Sequence, residues 1–320
     1  MPKALRGALE RVLTQASRAA RAVSRRLEDL SRGYAAGPSQ PGVGLSRESG
    51  GRLRELGAQA TTAGEIIWFH SIDLGEGQPT AGTKSAATLE VEAGLLQLPE
   101  TLGGLHVLDI GAWDGYFSFE MERRGAASVT ALDHYVWSTD HARFREYHAK
   151  ASAAGEPLLP PDEIPGVWDP VNLPGRAGFD RARAALNSRV RPVVGDFMTM
   201  DLDALGEFDI VLFLGVLYHL KDPFTALTRL RRVTRGLAVI ETAAAVVPGW
   251  ADQRLWMFVE GSELDQDPSN WWAPTSAGLA AMCRAAGFSS THVVMESAED
   301  APPNPGYSLH YGRVTMHAYV

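Results

Sequence analysis

The stretch VLDIGAWDG, residues 107–115, constrains this chain more than any other. An apolar run ends in an acid and a glycine, turns within a few residues, and enters YFSFEMERRG (116–125), a helical segment ended by Gly125. Strand, tight turn and helix in that order open a doubly wound sheet, where a ligand lies across the carboxyl ends of parallel strands. Glycine is needed where the backbone approaches a ligand closely or takes a positive φ, and Gly111 and Gly115 fit those roles. A dinucleotide site would continue with further spaced glycines, opening a helix onto a pyrophosphate. Trp113 holds the middle position instead, and its bulk argues against a pyrophosphate and an NAD-dependent oxidoreductase.

The alternation continues downstream, as a mostly parallel α/β sheet requires. SVTALD (128–133), VRPVVGD (190–196), FDIVLFLG (208–215) and GLAVIETA (236–243) read as strands two to five, and segments near 291–295 and 307–319 complete the sheet. The fourth is apolar almost throughout, as expected of a strand buried on both faces. Helices are expected over 178–188, 223–234 and 275–288. Two segments break the rhythm, the Pro-rich 138–177 and the Trp-rich 248–274, and long insertions of this kind are usually functional or disordered.

The chain has 320 residues, 45% of them apolar, enough for a large core. It divides into a basic helical arm (1–32), a linker and N-terminal cap region (33–84), and the sheet domain (85–320). Residues 33–51 are rich in Gly, Pro and Ser, a short helix is expected over 53–59, and IIWFHSIDLGEGQPTAG (66–82) reads as a strand entering a turn-rich loop. A helix from about residue 85 leads into the sheet. Residues 1–60 carry 11 Lys and Arg against 5 Asp and Glu, whereas the remainder carries 19 against 33. So acidic a body is a poor platform for a phosphate backbone, and RNA is disfavoured as a partner; the arm is where it would bind. The same helix could pack on a second copy of the chain. A lone cysteine, Cys283, excludes an internal disulfide and the usual thiolate zinc sites. No signal peptide or membrane span is legible, so a cytoplasmic protein is expected.

Three acids follow three strands. Asp109 ends the first, Asp133 the second, and Asp196 with Phe197 follows the third. An acid at the second position can accept hydrogen bonds from both hydroxyls of a ribose. A carboxylate beside an aromatic ring suits an adenine, through its amine and its face. The order resembles the Rossmann-like class I S-adenosylmethionine-dependent methyltransferases. That resemblance implies that Asp109, Gly111, Trp113 and Gly115 line the methionine end, Asp133 the ribose, and Asp196 with Phe197 the adenine. GVLYHLKDP (215–223), IET (240–242), NWWAPT (270–275) and GF (287–288) are similar to a narrower family, the methyltransferases that finish 5-oxyacetyl wobble uridine in tRNA, and their small-molecule relatives. By that likeness Gly215 and Tyr218 also touch the cofactor. The tRNA enzymes use a carboxylated cofactor held by cations. Residues 68–82 contain no Lys or Arg and the tail offers Arg313 alone, so plain S-adenosylmethionine is expected, because an unpaired buried carboxylate is costly.

Methyl transfer from a sulfonium needs alignment and, for a hydroxyl or protonated amine, a base. His219, just past the fourth strand, is the leading base, since histidine titrates near neutrality. Glu241, ending the fifth strand, could orient a substrate or that base. Trp68 and His70 could roof the site, and Trp137, Trp256, Trp271 and Trp272 could wall an acceptor pocket. No metal is expected. The expected function is methylation of oxygen or nitrogen on a sugar-bearing or natural-product acceptor. The alternatives are a tRNA wobble-base modifier and a non-catalytic cofactor-binding protein.

Overall fold

The computed structural model describes residues 66–298 and 309–320, apart from Glu76 and Gln266. The expected basic arm, linker and short helix over 53–59 lie outside the described residues.

Nine strands are described: β1 His106–Ile110, β2 Ser128–Asp133, β3 Arg191–Val194, β4 Phe208–Leu214, β5 Thr234–Val246, β6 Trp256–Phe258, β7 Trp272–Pro274, β8 Ser290–Ala298 and β9 His310–Tyr319. Seven form one sheet in the order β3-β2-β1-β4-β5-β9-β8, while β6 and β7 make a separate two-stranded sheet. β1 to β5 are parallel, and β9 runs antiparallel to both β5 and β8. The chain moves outward from β1 to β3, then returns to the other side of β1 with β4. The β1–β4 boundary is therefore the switch point, where such sheets leave a crevice at their carboxyl ends.

Side chains alternate between the faces of a strand, and here both faces are covered. Leu108, Val211, Phe213, Ala238 and Ile240 enter one core layer, and Val107, Ile210, Leu212, Leu237 and Val239 the other. The helices Tyr116–Arg123, Ala177–Ala185, Pro223–Val233 and Ser276–Ala285 fall close to their expected positions. Asp222 and Thr275 cap the last two by accepting from the N–H groups of Thr225 and Gly278.

Two expectations are corrected. The first insertion is not irregular throughout, because His141–Ala154 is a helix, capped by Asp140 and ended by Gly155 at φ 68°. Its prolines begin only at Pro157, so nothing breaks the helix before then. The segment 66–82 forms no strand. It makes isolated bridges, His70 with Lys84 and Asp73 with Pro79, and is held by side chains described below. No helix among the described residues is long and apolar enough to cross a membrane.

The second insertion becomes a lid carrying β6 and β7, seated on the helix Ser276–Ala285. Gly278 is buried there, and a Cβ on it would lie 2.3 Å from the Leu255 carbonyl oxygen. The lid backbone is tied to the helix start, with Thr275 donating its N–H to the Leu255 carbonyl at 3.0 Å. Gly278→Ala is therefore expected to lift the lid and destabilise the protein by about 1–3 kcal/mol, the cost of overpacking. Urea unfolding checks this.

Candidate functional site

The turn after β1 is held in an uncommon shape. Gly111 and Gly115 take φ of 80° and 90°, and Trp113, which has a side chain, takes 51°. A bulky residue in the left-handed region must be held there. Asp133 accepts the Trp113 N–H at 2.9 Å, and the Trp137 indole N–H donates to the Trp113 carbonyl at 2.6 Å. The Trp113 ring lies between Phe69, stacked at 4.0 Å, and His141 at 5.5 Å. Burial pushes the His141 pKa down to about 4, so that partner is a neutral ring at pH 7. Across the switch point, a Cβ on Gly111 would lie 2.5 Å from Cγ2 of Val216, so the loops after β1 and β4 touch.

Two buried carboxylates end β1 and β2. Asp109 accepts from the Ser118 hydroxyl at 2.6 Å, and Asp133 also accepts the Val136 N–H at 3.1 Å. Burial raises both pKa values to about 6, against the lowering effect of those hydrogen bonds.

Asp114 organises the upstream segment. One of its oxygens accepts the N–H groups of Phe69 and His70, each at 2.9 Å, and the other pairs with the His70 ring. His70 is buried against Tyr116 and Phe117, so it anchors the segment to the loop. The sequence reading missed Asp114; its signal was an acid inside a glycine turn. Trp68 is half-buried against the core and sits over Gly178, pinning the same segment.

The loop after β4 forms the other wall. Leu217–His219 is a single 3-10 turn. Glu241 receives two hydrogen bonds from Arg313, at 2.5 and 2.7 Å, and the Arg313 guanidinium lies 4.7 Å from the Tyr218 ring centre. Burial alone would raise the Glu241 pKa, but Arg313 holds it below the ordinary value. Glu241 is thus a neutralised partner of Arg313, not a ready proton acceptor. Gly215 packs beside the Tyr218 hydroxyl and a Glu241 oxygen. The lid is strapped to this turn. Trp271 donates its N–H to the Tyr218 carbonyl at 2.8 Å, and the Trp272 indole donates to the Lys221 carbonyl at 3.2 Å. His219 Nδ1 lies 2.9 Å from the Ser269 hydroxyl. Burial lowers the His219 pKa.

The remaining expected residues separate. Trp137 does not wall a pocket, because its ring is fully buried against Phe179 and its indole N–H supports Trp113. Phe197 is buried beside Phe213 in the core, so its ring is no open platform for an adenine. Asp196 is half-buried and accepts from the Met198 N–H and the Thr199 hydroxyl in its own turn. Trp256, Trp271 and Trp272 stay together in the lid, with Trp256 and Trp272 edge to face at 6.4 Å. An open cleft of about 310 Å³ runs along the upstream segment, between Ser71, the 79–82 turn and Ser85; none of β1–β5 lines it. Among the described residues, no group of three His, Cys, Asp or Glu side chains is placed to hold a metal ion.

A methyltransferase-domain family model matches residues 85–293, more than half of the chain and the whole of the β1–β5 unit. The chain belongs to this methyltransferase family. Its fold is that of the class I enzymes, and its cofactor is S-adenosylmethionine. Among curated relatives, a tRNA U34 carboxymethyltransferase of Pseudomonas syringae pv. syringae is 28% identical over 198 residues, which are 60% of this chain and 48% of that protein. The chain thus spans about half the length of the curated relatives it matches. Among solved structures, the N-terminal domain of EvdMO1, described in the presence of SAH and D-fucose, aligns with a TM-score of 0.48 at 17% identity, covering 86% of this chain and 96% of that one. The Burkholderia thailandensis 1,6-didemethyltoxoflavin-N1-methyltransferase aligns at 0.39 and 22% identity, covering 73% and 75%.

The donor set fits this cofactor. Asp109 and Asp133 are hydrogen-bond acceptors left short of positive charge by burial. A ligand with an ammonium group, a sulfonium and ribose hydroxyls would bring positive charge and further donors to them.

The role of Asp114 can be tested without cofactor. Asp114→Ala should cost about 3–5 kcal/mol, the penalty for breaking a buried, hydrogen-bonded charge. It should also release residues 66–84, read as faster amide exchange there than in β4. Unchanged exchange would show that the segment is held by Trp68 instead.

Proposed function

We propose that this chain transfers a methyl group from S-adenosylmethionine to an oxygen or nitrogen of a small polar acceptor, sugar-bearing or a natural product, beneath the 248–274 lid. The observation that carries this reading is the charge of the lid. Asp252, Glu260, Glu263, Asp265 and Asp267 stand against Arg254 alone, in a segment strapped to the turn that bears His219. Such a surface repels a phosphate backbone and suits hydroxyls and amines, which donate hydrogen bonds.

Asp109 and the 111–115 turn face the methionine end of the cofactor, Asp133 holds the ribose, and the Asp196 turn lies toward the adenine. When bound, S-adenosylmethionine supplies a methyl group on a positively charged sulfur as the electrophile. His219 takes the proton that the acceptor loses as the new bond forms. Arg313 is paired with Glu241, and Lys84 with Glu92 at 2.8 Å. An extra carboxylate on the cofactor would have to displace one of those acids, which supports the plain methyl donor.

The name of the curated relatives favours a second reading, a tRNA wobble-uridine modifier whose RNA is held by residues 1–32. Salt-dependent tRNA binding that disappears when those residues are deleted would establish it and displace the small acceptor. A cofactor-binding protein without catalysis is a third reading, and labelled methyl transfer to any acceptor excludes it.

Two outcomes test the assigned roles. Asp133 is raised to about 6 and must be ionised to accept from both ribose hydroxyls. Cofactor affinity should therefore rise with pH through about 6, and Asp133→Asn should remove that residue's share of the dependence. Calorimetry between pH 5 and 8 measures it; Asp133→Ala with unchanged affinity would remove the ribose role. His219→Ala should slow turnover by about 10²–10⁴-fold while leaving cofactor affinity nearly constant. Wild-type turnover at neutral pH would eliminate His219 as the base.

A further inference from the structure

We propose that Ser269 and Asp267 are positioning residues that lock His219 as the Nδ1–H tautomer, leaving Nε2 as its basic nitrogen. The proposal deepens the reading of His219 as base and rests on it for its catalytic meaning.

The tautomer follows from counting protons. His219 Nδ1 lies 3.3 Å from the Ser269 carbonyl oxygen and 2.9 Å from the Ser269 hydroxyl. A carbonyl oxygen only accepts, so Nδ1 must carry a proton to bond with it. The hydroxyl has one proton, and Asp267 Oδ1 lies 2.6 Å away. A carboxylate also only accepts, so the hydroxyl donates to Asp267 and accepts from Nδ1–H. Both contacts on Nδ1 therefore require the same tautomer. No partner among the described residues is assigned to Nε2.

The holder is itself fixed. Asp267 Oδ1 accepts the Ser269 N–H at 2.8 Å across Pro268, a tight Asx-type turn. Asn270 is buried and donates to the Leu264 carbonyl at 2.8 Å, which closes the loop behind Ser269. Trp271 then straps the loop to the Tyr218 carbonyl. These contacts arise from the lid, so the lid that covers the acceptor also orients the base.

The charges around the ring suit the task. Burial lowers the His219 pKa and keeps the ring neutral at pH 7. Asp267 and Asp265 act in the opposite direction, Arg313 acts with burial, and the Tyr218 ring packs at 4.1 Å. When Nε2 accepts the acceptor's proton, the positive charge spreads to Nδ1–H. That group already points along a hydrogen-bonded chain to a carboxylate, which stabilises the imidazolium without taking its proton.

The experiment is ¹⁵N NMR of the full chain with ¹⁵N-histidine, titrated with and without S-adenosylhomocysteine, with His219→Gln identifying the His219 signals. The wild type should show Nδ1 protonated and Nε2 unprotonated above the midpoint. Ser269→Ala should give a mixture of tautomers, and Ser269→Thr, which keeps the hydroxyl, should restore the single form. Asp267→Asn should retain the tautomer but move the midpoint down, as loss of a negative neighbour requires. Unchanged signals from the other histidines confirm the fold of each variant. A wild-type Nε2–H tautomer, or a Ser269→Ala spectrum identical to wild type, would overturn the proposal. The base assignment fails separately, through the turnover of His219→Ala, which leaves the tautomer result standing.

Discussion

Trp113 is held with its backbone in a region that a bulky side chain seldom enters, and the rest of the site follows from how it is held. Its N–H is taken by Asp133 and its carbonyl by Trp137, and its ring is closed between Phe69 and His141. The four partners come from three parts of the chain. Asp133 ends β2, Trp137 and His141 open the first insertion, and Phe69 belongs to the segment that Asp114 draws in. The loop thus joins the end of the sheet, the insertion and the upstream segment at one point. The chain around Trp137 supports the turn after β1, through the Trp137 indole and the His141 ring.

The second wall is built on a different principle. β5 and β9 pair antiparallel with Glu241 opposite Thr315, which makes Arg313 a diagonal neighbour of Glu241 on the same face. The ion pair neutralises both groups and packs under Tyr218. One wall therefore offers acceptors short of positive charge, and the other offers a pair already satisfied. The lid adds Asp252, Glu260, Glu263, Asp265 and Asp267 against Arg254 alone, so acids outnumber bases on that side as well.

The strand order and the acids at strand ends were legible because they depend on local pattern. An apolar run ending in an acid marks Asp109 and Asp133, and the glycine turn marks Gly111 and Gly115, without knowledge of the fold. Aromatic residues were not legible in that way. Trp137, Phe197 and Trp256 carry the same composition signal, yet the first is wholly buried, the second is core and the third lies in the lid. Burial is set by tertiary packing, which a side chain's type does not encode. The Arg313–Glu241 pair was out of reach for another reason: it depends on the register of two strands 72 residues apart. Asp114 was missed because two of its partners are backbone groups and the third, the His70 ring, lies 44 residues away in a segment that looked like a strand.

The buried titratable groups bind protons in opposite senses, which bears on why the fold can keep such acids. Asp109 and Asp133 have pKa values near 6 in the folded state, above the ordinary 3.8. The folded state then binds more protons than the unfolded one between about pH 4 and 6, so their contribution to stability falls as pH rises through that window. His141 and His317 are pushed by burial from 6.5 to about 4, so the unfolded state binds more protons there and their contribution rises with pH. The shifts are similar in size, and the two pairs largely oppose each other across the same window. Positive charge brought against Asp109 and Asp133 removes their penalty and leaves that of the histidines. Acids strained at neutral pH therefore stand at the ends of β1 and β2, and the opposing histidines hold the fold from two places, His141 stacked on Trp113 beside those acids and His317 against the Leu96 carbonyl.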